Sequence, residues 1–358
     1  MSKVVWLDGY NPYDGTTNGY VYASTNIKKS LLKDYRLGVT TTADLIQLES
    51  LPKLPPGIGY FLKTNREDCD LIVNNQLPLA FQVPSKNFAG SSVGFCYWET
   101  SRLPKSFVQK LNMMDEVWTT SKWAKEVFED SGVEVDVFDF NLGVDTEIYN
   151  LVPERQEGPF TFLSIGSPST RKNSQMAVDA FLKLFGGDKN YRLLYKSSGP
   201  PDARLMYNGE NHGAIFMHPQ IECFDYEMSE RELSDLYGMS DCLLYPTSGE
   251  GWGMMPFQAI AKGIPTICTN ATACTEFAEL SIPLDYKWGT EKMSGVYSGC
   301  GEWAIPDFDD LCDKMLYVVN NYDEVKAHTM SGAWIIRNNY TWKDVSLDYY
   351  NAILDLTT

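Results

Sequence analysis

Residues 246–276 read PTSGEGWGMMPFQAIAKGIPTICTNATACTE. An acid, Glu250, opens a loop bracketed by Gly251 and Gly253. Pro256 falls where the first position of a helix is expected, and Gln258 stands eight residues after Glu250. Gly263 is the expected helix stop, and Ile264-Pro265-Thr266-Ile267 reads as the strand that follows. A glycine loop that feeds a helix N-terminus presents free backbone N–H groups and the positive end of the helix dipole. That combination suits an anion, and a diphosphate above all.

Working outward, short apolar runs alternate with helical patterns. Strands are predicted at 4–7, 71–73, 93–97, 116–119, 135–138, 160–165, 191–195, 214–217, 242–245 and 265–268. Helices are predicted at 106–111, 121–131, 173–185, 229–239, 257–262 and 341–356. Such alternation implies parallel sheets with helices on both faces. The pattern restarts after the polar, proline-bearing stretch LVPERQEGP at 151–159. The expected fold is therefore α/β, with a first domain over 1–155, a second over 156–340 and a closing helix over 341–358 that returns to the first. Open parallel sheets bind ligands at the carboxyl ends of their strands. Two such sheets are expected to face each other across a cleft.

Composition sets the outer limits. The chain has 358 residues, 44% of them hydrophobic, and a net charge of −17. No apolar run reaches the roughly 18 residues of a membrane span. The N-terminus MSKVVWLDGY enters a strand directly, without a leader pattern. A cytoplasmic protein is expected. Eight cysteines without a CxxC pair read as reduced, buried thiols rather than a disulfide framework or a zinc site. The acidic balance argues against a nucleic-acid coat. Asn26–Arg36, with Lys28, Lys29, Lys33 and Arg36, is a local basic stretch. It reads either as a solvated helix face or as a surface for an anionic acceptor, lipid phosphate or nucleic acid.

Three further places bear on chemistry. The strand 160–165 ends in the loop GSPSTRKN, which sets Arg171 and Lys172 before a helix. Cations there can neutralise a diphosphate and stabilise it as it leaves. The loop after the first strand, DGYNPYDGTTNGY, carries Gly15, Thr17 and Gly19, which allow close ligand approach. It lacks the GxGxxG spacing of dinucleotide enzymes. The acids Asp307 and Asp309 read as a helix start and not as a metal motif.

Several blocks, in order, resemble the GT-B fold retaining glycosyltransferases of family 4. They are ETSRLPKSFVQKLNMMDEVWTTSKWAKEVFEDSGV with NLGVDTEIYN, then FLSIGSPSTRKN, then SERELSDLYGMSDCLLYPTSGEGWGMMPFQAIAKGIPTI, then GAWIIRNNYTWKDVS. The resemblance spans nearly the whole chain. It implies two Rossmann-like domains and transfer of a sugar from a nucleoside-diphosphate donor, a UDP-sugar foremost. Transfer would proceed with retention and without a metal or other cofactor. By the same resemblance Glu250 would hold donor-sugar hydroxyls. Gly253, Met254 and Met255 would face phosphate and sugar, and Gln258 would bind the ribose. The family usually has an acid where Gln258 stands, and often a basic residue at Ser167, which is placed beside the phosphates. Glu99 falls near a polar position that faces the sugar. It would orient a donor or acceptor hydroxyl, or cap the next helix. The acceptor would be a glycan, a lipid or a modified nucleic-acid base. Two alternatives are an inactive GT-B module that binds nucleotide sugar or glycan, and an epimerase or phosphorylase on a related fold.

Overall fold

The computed structural model describes residues 4–8, 19–35, 69–152, 154–155, 157–167, 169–197, 218–291 and 293–358. The predicted strand 214–217, the loop residues Gly15 and Thr17, and Arg36 lie outside the described residues. The chain forms two compact units. Unit 1 is Met1–Trp98, Arg102–Gly143 and Trp342–Thr358; unit 2 is Glu99–Ser101 and Val144–Thr341.

Unit 1 holds a five-stranded parallel sheet in the order β1 (Val4–Asp8), β2 (Leu71–Asn75), β3 (Ser91–Phe95), β4 (Glu116–Thr119) and β5 (Asp136–Asp139). Its helices are α1 (Gly19–Asp34), α2 (Lys105–Leu111), α3 (Lys122–Asp130) and the last helix of the chain, α9 (Trp342–Thr357). Ser121 caps α3, its hydroxyl accepting from the Ala124 N–H at 3.1 Å. An aromatic cluster joins sheet to helix. Phe95 and Trp118 meet Tyr349 of α9 at centroid distances of 5.7 and 5.9 Å. Each such buried ring stabilises the fold by about 1.5–3 kcal/mol.

The basic stretch of α1 is only partly a surface. Lys28 is 2% exposed and donates to Asp8 Oδ2 at 2.5 Å. It is an internal counter-ion, while Lys29 and Lys33 are exposed. Periodicity explains the difference, because Lys28 shares a helix face with buried Ser24 and Leu31.

Unit 2 holds a six-stranded parallel sheet in the order β11-β10-β9-β6-β7-β8. The strands are β6 (Phe160–Ile165), β7 (Tyr191–Lys196), β8 (Ile221–Phe224), β9 (Cys242–Tyr245), β10 (Thr266–Thr269) and β11 (Ile282–Leu284). An antiparallel pair, β12 (Tyr286–Gly289) and β13 (Trp303–Pro306), follows. The helices are α4 (Ser174–Phe185), α5 (Glu230–Gly238), α6 (Met254–Ala261), α7 (Phe308–Asn320) and α8 (Tyr322–Asn339). Every residue of β6 and β9 is buried, as expected of inner strands covered on both faces. A core built on Phe162, Phe181, Leu193, Leu244 and Met315 fills the unit. Asp307 caps α7, its Oδ1 accepting from the N–H groups of Asp309 and Asp310.

The strand order reverses at one place. From β6 the chain builds β7 and β8 to one side, then crosses to lay β9, β10 and β11 on the other. The loops leaving the carboxyl ends of the paired strands β6 and β9 start side by side there. This is the crevice in which open α/β sheets bind ligands.

Candidate functional site

The β6 loop carries Arg171 and Lys172, and the β9 loop carries Glu250. The structure brings the three together. Lys172 Nζ lies 2.6 Å from Glu250 Oε1, and Arg171 Nη1 lies 3.2 Å from the same oxygen. Tyr245 and Thr247 also donate to Oε1, at 3.1 and 2.7 Å. Lys172 further donates to the Tyr245 hydroxyl at 2.7 Å.

Backbone geometry locks the two loops to each other. The Ser248 N–H donates to the Arg171 carbonyl at 2.7 Å, and Asn173 Nδ2 to Ser248 Oγ at 2.8 Å. Asn173 precedes α4 in the left-handed region, with φ 49°. The Glu250 N–H donates to Thr272 Oγ1 at 2.9 Å, and Thr272 is also left-handed, with φ 55°. Such conformations persist where surrounding contacts over-determine them. Gly249 leaves no room for a side chain, since a β-carbon there would sit 2.2 Å from the Glu99 carbonyl oxygen.

Among the described residues the hydrogen bonds to the Glu250 carboxylate all fall on Oε1. Three hydrogen-bond donors and the Arg171 ion pair gather on that one oxygen, and among the described residues no donor reaches Oε2. Burial alone would raise the Glu250 carboxyl. Lys172 and Arg171, with the hydrogen bonds from Lys172 and Thr247, outweigh that and hold it at about 2. Burial pulls the Lys172 ammonium down; Glu250 opposes this and Arg171 adds to it. For Arg171, burial is outweighed by Glu250 and Glu99, and the guanidinium stays charged. Glu99 is raised by burial, with Arg171 opposing and Glu250 adding. It caps no helix: α2 begins after Pro104, with no side-chain cap.

Helix α6 starts at Met254, two residues before the position at which Pro256 suggested a start. Gly253 precedes it in the left-handed region, φ 95°, which lets the chain turn into the helix early. Pro256 still lies in the first turn, where its missing N–H costs nothing. At the other end Gly263, φ 81°, closes a Schellman motif, with bonds from Gly263 N to Ile260 O and from Ile264 N to Ala259 O. Met254 and Met255 are half-buried, and Gln258 is 1% exposed in the second turn. Ser167 lies at the head of the β6 loop, its hydroxyl on Ser169 at 3.2 Å. Gly19 opens α1, in unit 1.

Sequence reasoning missed Thr247, inside the stretch 246–276, and Tyr245, one residue before it; both donate to Glu250.

A family model described as "Family 4 Glycosyltransferase in conflict systems" matches residues 119–347, which hold Arg171, Lys172, Glu250 and Gln258. The chain belongs to that family. This family 4 chain is 26% identical over 203 residues to human alpha-1,3/1,6-mannosyltransferase ALG2, a match covering 51% of the chain and 49% of that enzyme. It is 23% identical over 177 residues to the serotype-specific mannosyltransferase WbdA of Escherichia coli, covering 48% of the chain and 20% of that protein. The chain thus spans about half or less of the length of the curated relatives it matches. Among solved structures it is similar to Anabaena Alr3699/HepE, described in complex with UDP and glucose. The TM-score is 0.68 at 13% identity, over 99% of this chain and all of that one. That likeness is one of fold, and the fold is GT-B.

Proposed function

We propose that the protein transfers a sugar from a UDP-sugar to an acceptor hydroxyl, with retention at the anomeric carbon and without a metal. The observation that carries this reading is the Arg171–Lys172–Glu250 cluster at the strand-order reversal of the unit 2 sheet. It combines two fixed cations with a carboxylate that keeps one oxygen for a ligand. The UDP complex of a structurally similar protein supports the donor nucleotide, and the mannosyltransferase relatives support sugar transfer.

In this reading Arg171 and Lys172 bind the diphosphate and stabilise the charge it gains as the anomeric C–O bond breaks. They supply the charge that a divalent cation supplies elsewhere. Glu250 Oε2 accepts a hydroxyl of the donor sugar and sets its orientation. Backbone amides at Gly253, Met254 and Met255 add donors, and Gln258 serves the ribose through its amide. The acceptor oxygen attacks the anomeric carbon from the side on which the phosphate departs, and its proton passes to the departing phosphate oxygen. Glu99 orients the reacting hydroxyl. The acceptor carries its hydroxyl on a glycan, a lipid or a modified base. The burial of Lys28 removes one cation from the face that would favour an anionic acceptor. Among the described residues no helix is long and apolar enough to cross a membrane. A cytoplasmic site of action is part of the proposal.

The test is calorimetric titration with UDP and UDP-sugars, followed by measurement of UDP release with and without EDTA. Binding and EDTA-resistant turnover are the expected result, with turnover lost in Glu250→Ala. Absence of binding by any uridine nucleotide overturns the reading.

A further inference from the structure

Tyr245 closes β9 and takes no part in the transfer just described. It is 3% exposed at the carboxyl end of the strand, paired across to Cys268 of β10. A hydroxyl buried so deeply costs free energy unless it is bonded. This one is bonded twice. Lys172 Nζ donates to it at 2.7 Å, and it donates to Glu250 Oε1 at 3.1 Å. Lys172 also donates to Oε1 directly, at 2.6 Å. The three groups close a triangle.

The direction of each proton in that triangle follows from what each group can do. An ammonium only donates, and an ionised carboxylate only accepts. The Tyr245 hydroxyl therefore accepts from Lys172 and gives its own proton to Glu250. An ammonium carries three N–H groups. Tyr245 and Glu250 take two of those on Lys172, and among the described residues no other acceptor lies within hydrogen-bond reach of Nζ. The nitrogen is tetrahedral, so its bond to Cε and these two hydrogen bonds fix where the third N–H points. The stem is fixed as well. It runs along Gly166, where a β-carbon would lie 3.3 Å from Cβ and Cγ of Lys172.

We propose that Tyr245 is a positioning residue for Lys172: its hydroxyl holds the ammonium at a second point, so that the remaining N–H is set on the diphosphate of the donor. The purpose rests on the transfer reading; the triangle does not. A phenylalanine would fill the same space and leave the ammonium pivoting on Glu250 alone. The charged and titratable groups facing Lys172 are Glu250 and Tyr245 from β9 and its loop, Arg171 beside it, and Glu99. A hydrogen bond accepted from the ammonium favours the charged form. Without the Tyr245 hydroxyl, Lys172 must give up its proton at lower pH.

The experiment uses the full chain with carbon-13 at the lysine Cε positions. The Lys172 resonance is assigned by its absence in Lys172→Met, and its titration is followed by NMR in wild type and Tyr245→Phe. The expected result is a Lys172 midpoint lower by about one pH unit in Tyr245→Phe, with the other assigned lysines unmoved. Calorimetry gives a second reading. The Kd for UDP rises about tenfold in Tyr245→Phe, while that for uridine, which carries no phosphate, stays within about twofold. In the Lys172→Met background the tyrosine substitution weakens UDP no further. An unmoved Lys172 midpoint overturns the proposal. So does a loss of UDP affinity that persists in full without Lys172, or one that uridine shares, since either marks a merely structural role. The titration needs no ligand, so a wild type that binds no uridine nucleotide would sink the transfer reading and leave the midpoint to decide this one.

Discussion

Two buried lysine–carboxylate pairs sit at the carboxyl ends of parallel strands, one in each unit, and they are built differently. In unit 1, Asp8 spends both oxygens. Oδ2 takes Lys28, while Oδ1 takes Ser24 and the Asn75 amide. In unit 2, Glu250 gathers Lys172, Arg171, Tyr245 and Thr247 on Oε1 alone. Asp8 is tied down by donors on both oxygens, whereas the described donors to Glu250 meet one oxygen only. The pairs also differ in place. Asp8 ends a strand paired to β2 alone among the described strands, whereas Glu250 follows one of the two strands between which the strand order reverses.

Removing each acid tests this contrast most severely. Glu250→Ala should lower kcat/KM by about a thousandfold, roughly 4 kcal/mol of transition-state stabilisation. Asp8→Ala should leave donor Kd within about threefold and cost roughly 3–5 kcal/mol of unfolding free energy, the usual penalty for orphaning a buried charge. Kinetics and chemical denaturation on both variants decide the matter. A kinetic defect in Asp8→Ala larger than that in Glu250→Ala would erase the distinction.

Next in size is Lys172→Met. It should reduce kcat by about 100- to 1,000-fold, because a donor to the leaving phosphate is lost. Lys28→Met should act on melting temperature alone, as read by calorimetry. A smaller effect is set by acid. Glu250 is held from its ordinary 4.5 down to about 2 in the folded chain. A depressed carboxyl contributes stability above the unfolded value and loses it as pH falls through the folded one. Unit 2 should therefore lose about 3 kcal/mol between roughly pH 4.5 and pH 2. Glu250→Gln should flatten that part of a denaturation series. Smallest is Gln258→Glu. With the position 1% exposed, donor Kd should change by less than about tenfold, or about 1.4 kcal/mol.

Much of unit 2 was legible in the sequence because its signals are local. The strands 160–165 and 242–245 are continuous apolar runs, and their bounds match the structure. Gly263 reads as a helix stop on conformational grounds, and it is one. Arg171 and Lys172 were legible as cations at a strand end, whereas their contact with Glu250 is seen only in the structure. Lys28 misled because a helix with four basic residues reads as a solvated face, and nothing local reveals that Asp8 lies beneath one of them. The strand 221–224 was missed because it is short and interrupted by Glu222. The strand 282–284 was missed because Pro283 lies within it, a residue that sheets tolerate at an edge.

Helix α9 carries a further consequence. Its residues Trp342, Val345, Tyr349 and Ile353 are buried in unit 1, and Tyr349 donates to the Phe140 carbonyl at 3.0 Å. Unit 2 is therefore an insertion within unit 1. During synthesis, residues 342–357 emerge only after all of unit 2 has left the ribosome. Unit 2 can fold on its own schedule, but the first half of the chain must wait with Phe95 and Trp118 uncovered until its final helix arrives. The half made first is the half finished last, and it is there that a chaperone should be found bound to stalled nascent chains.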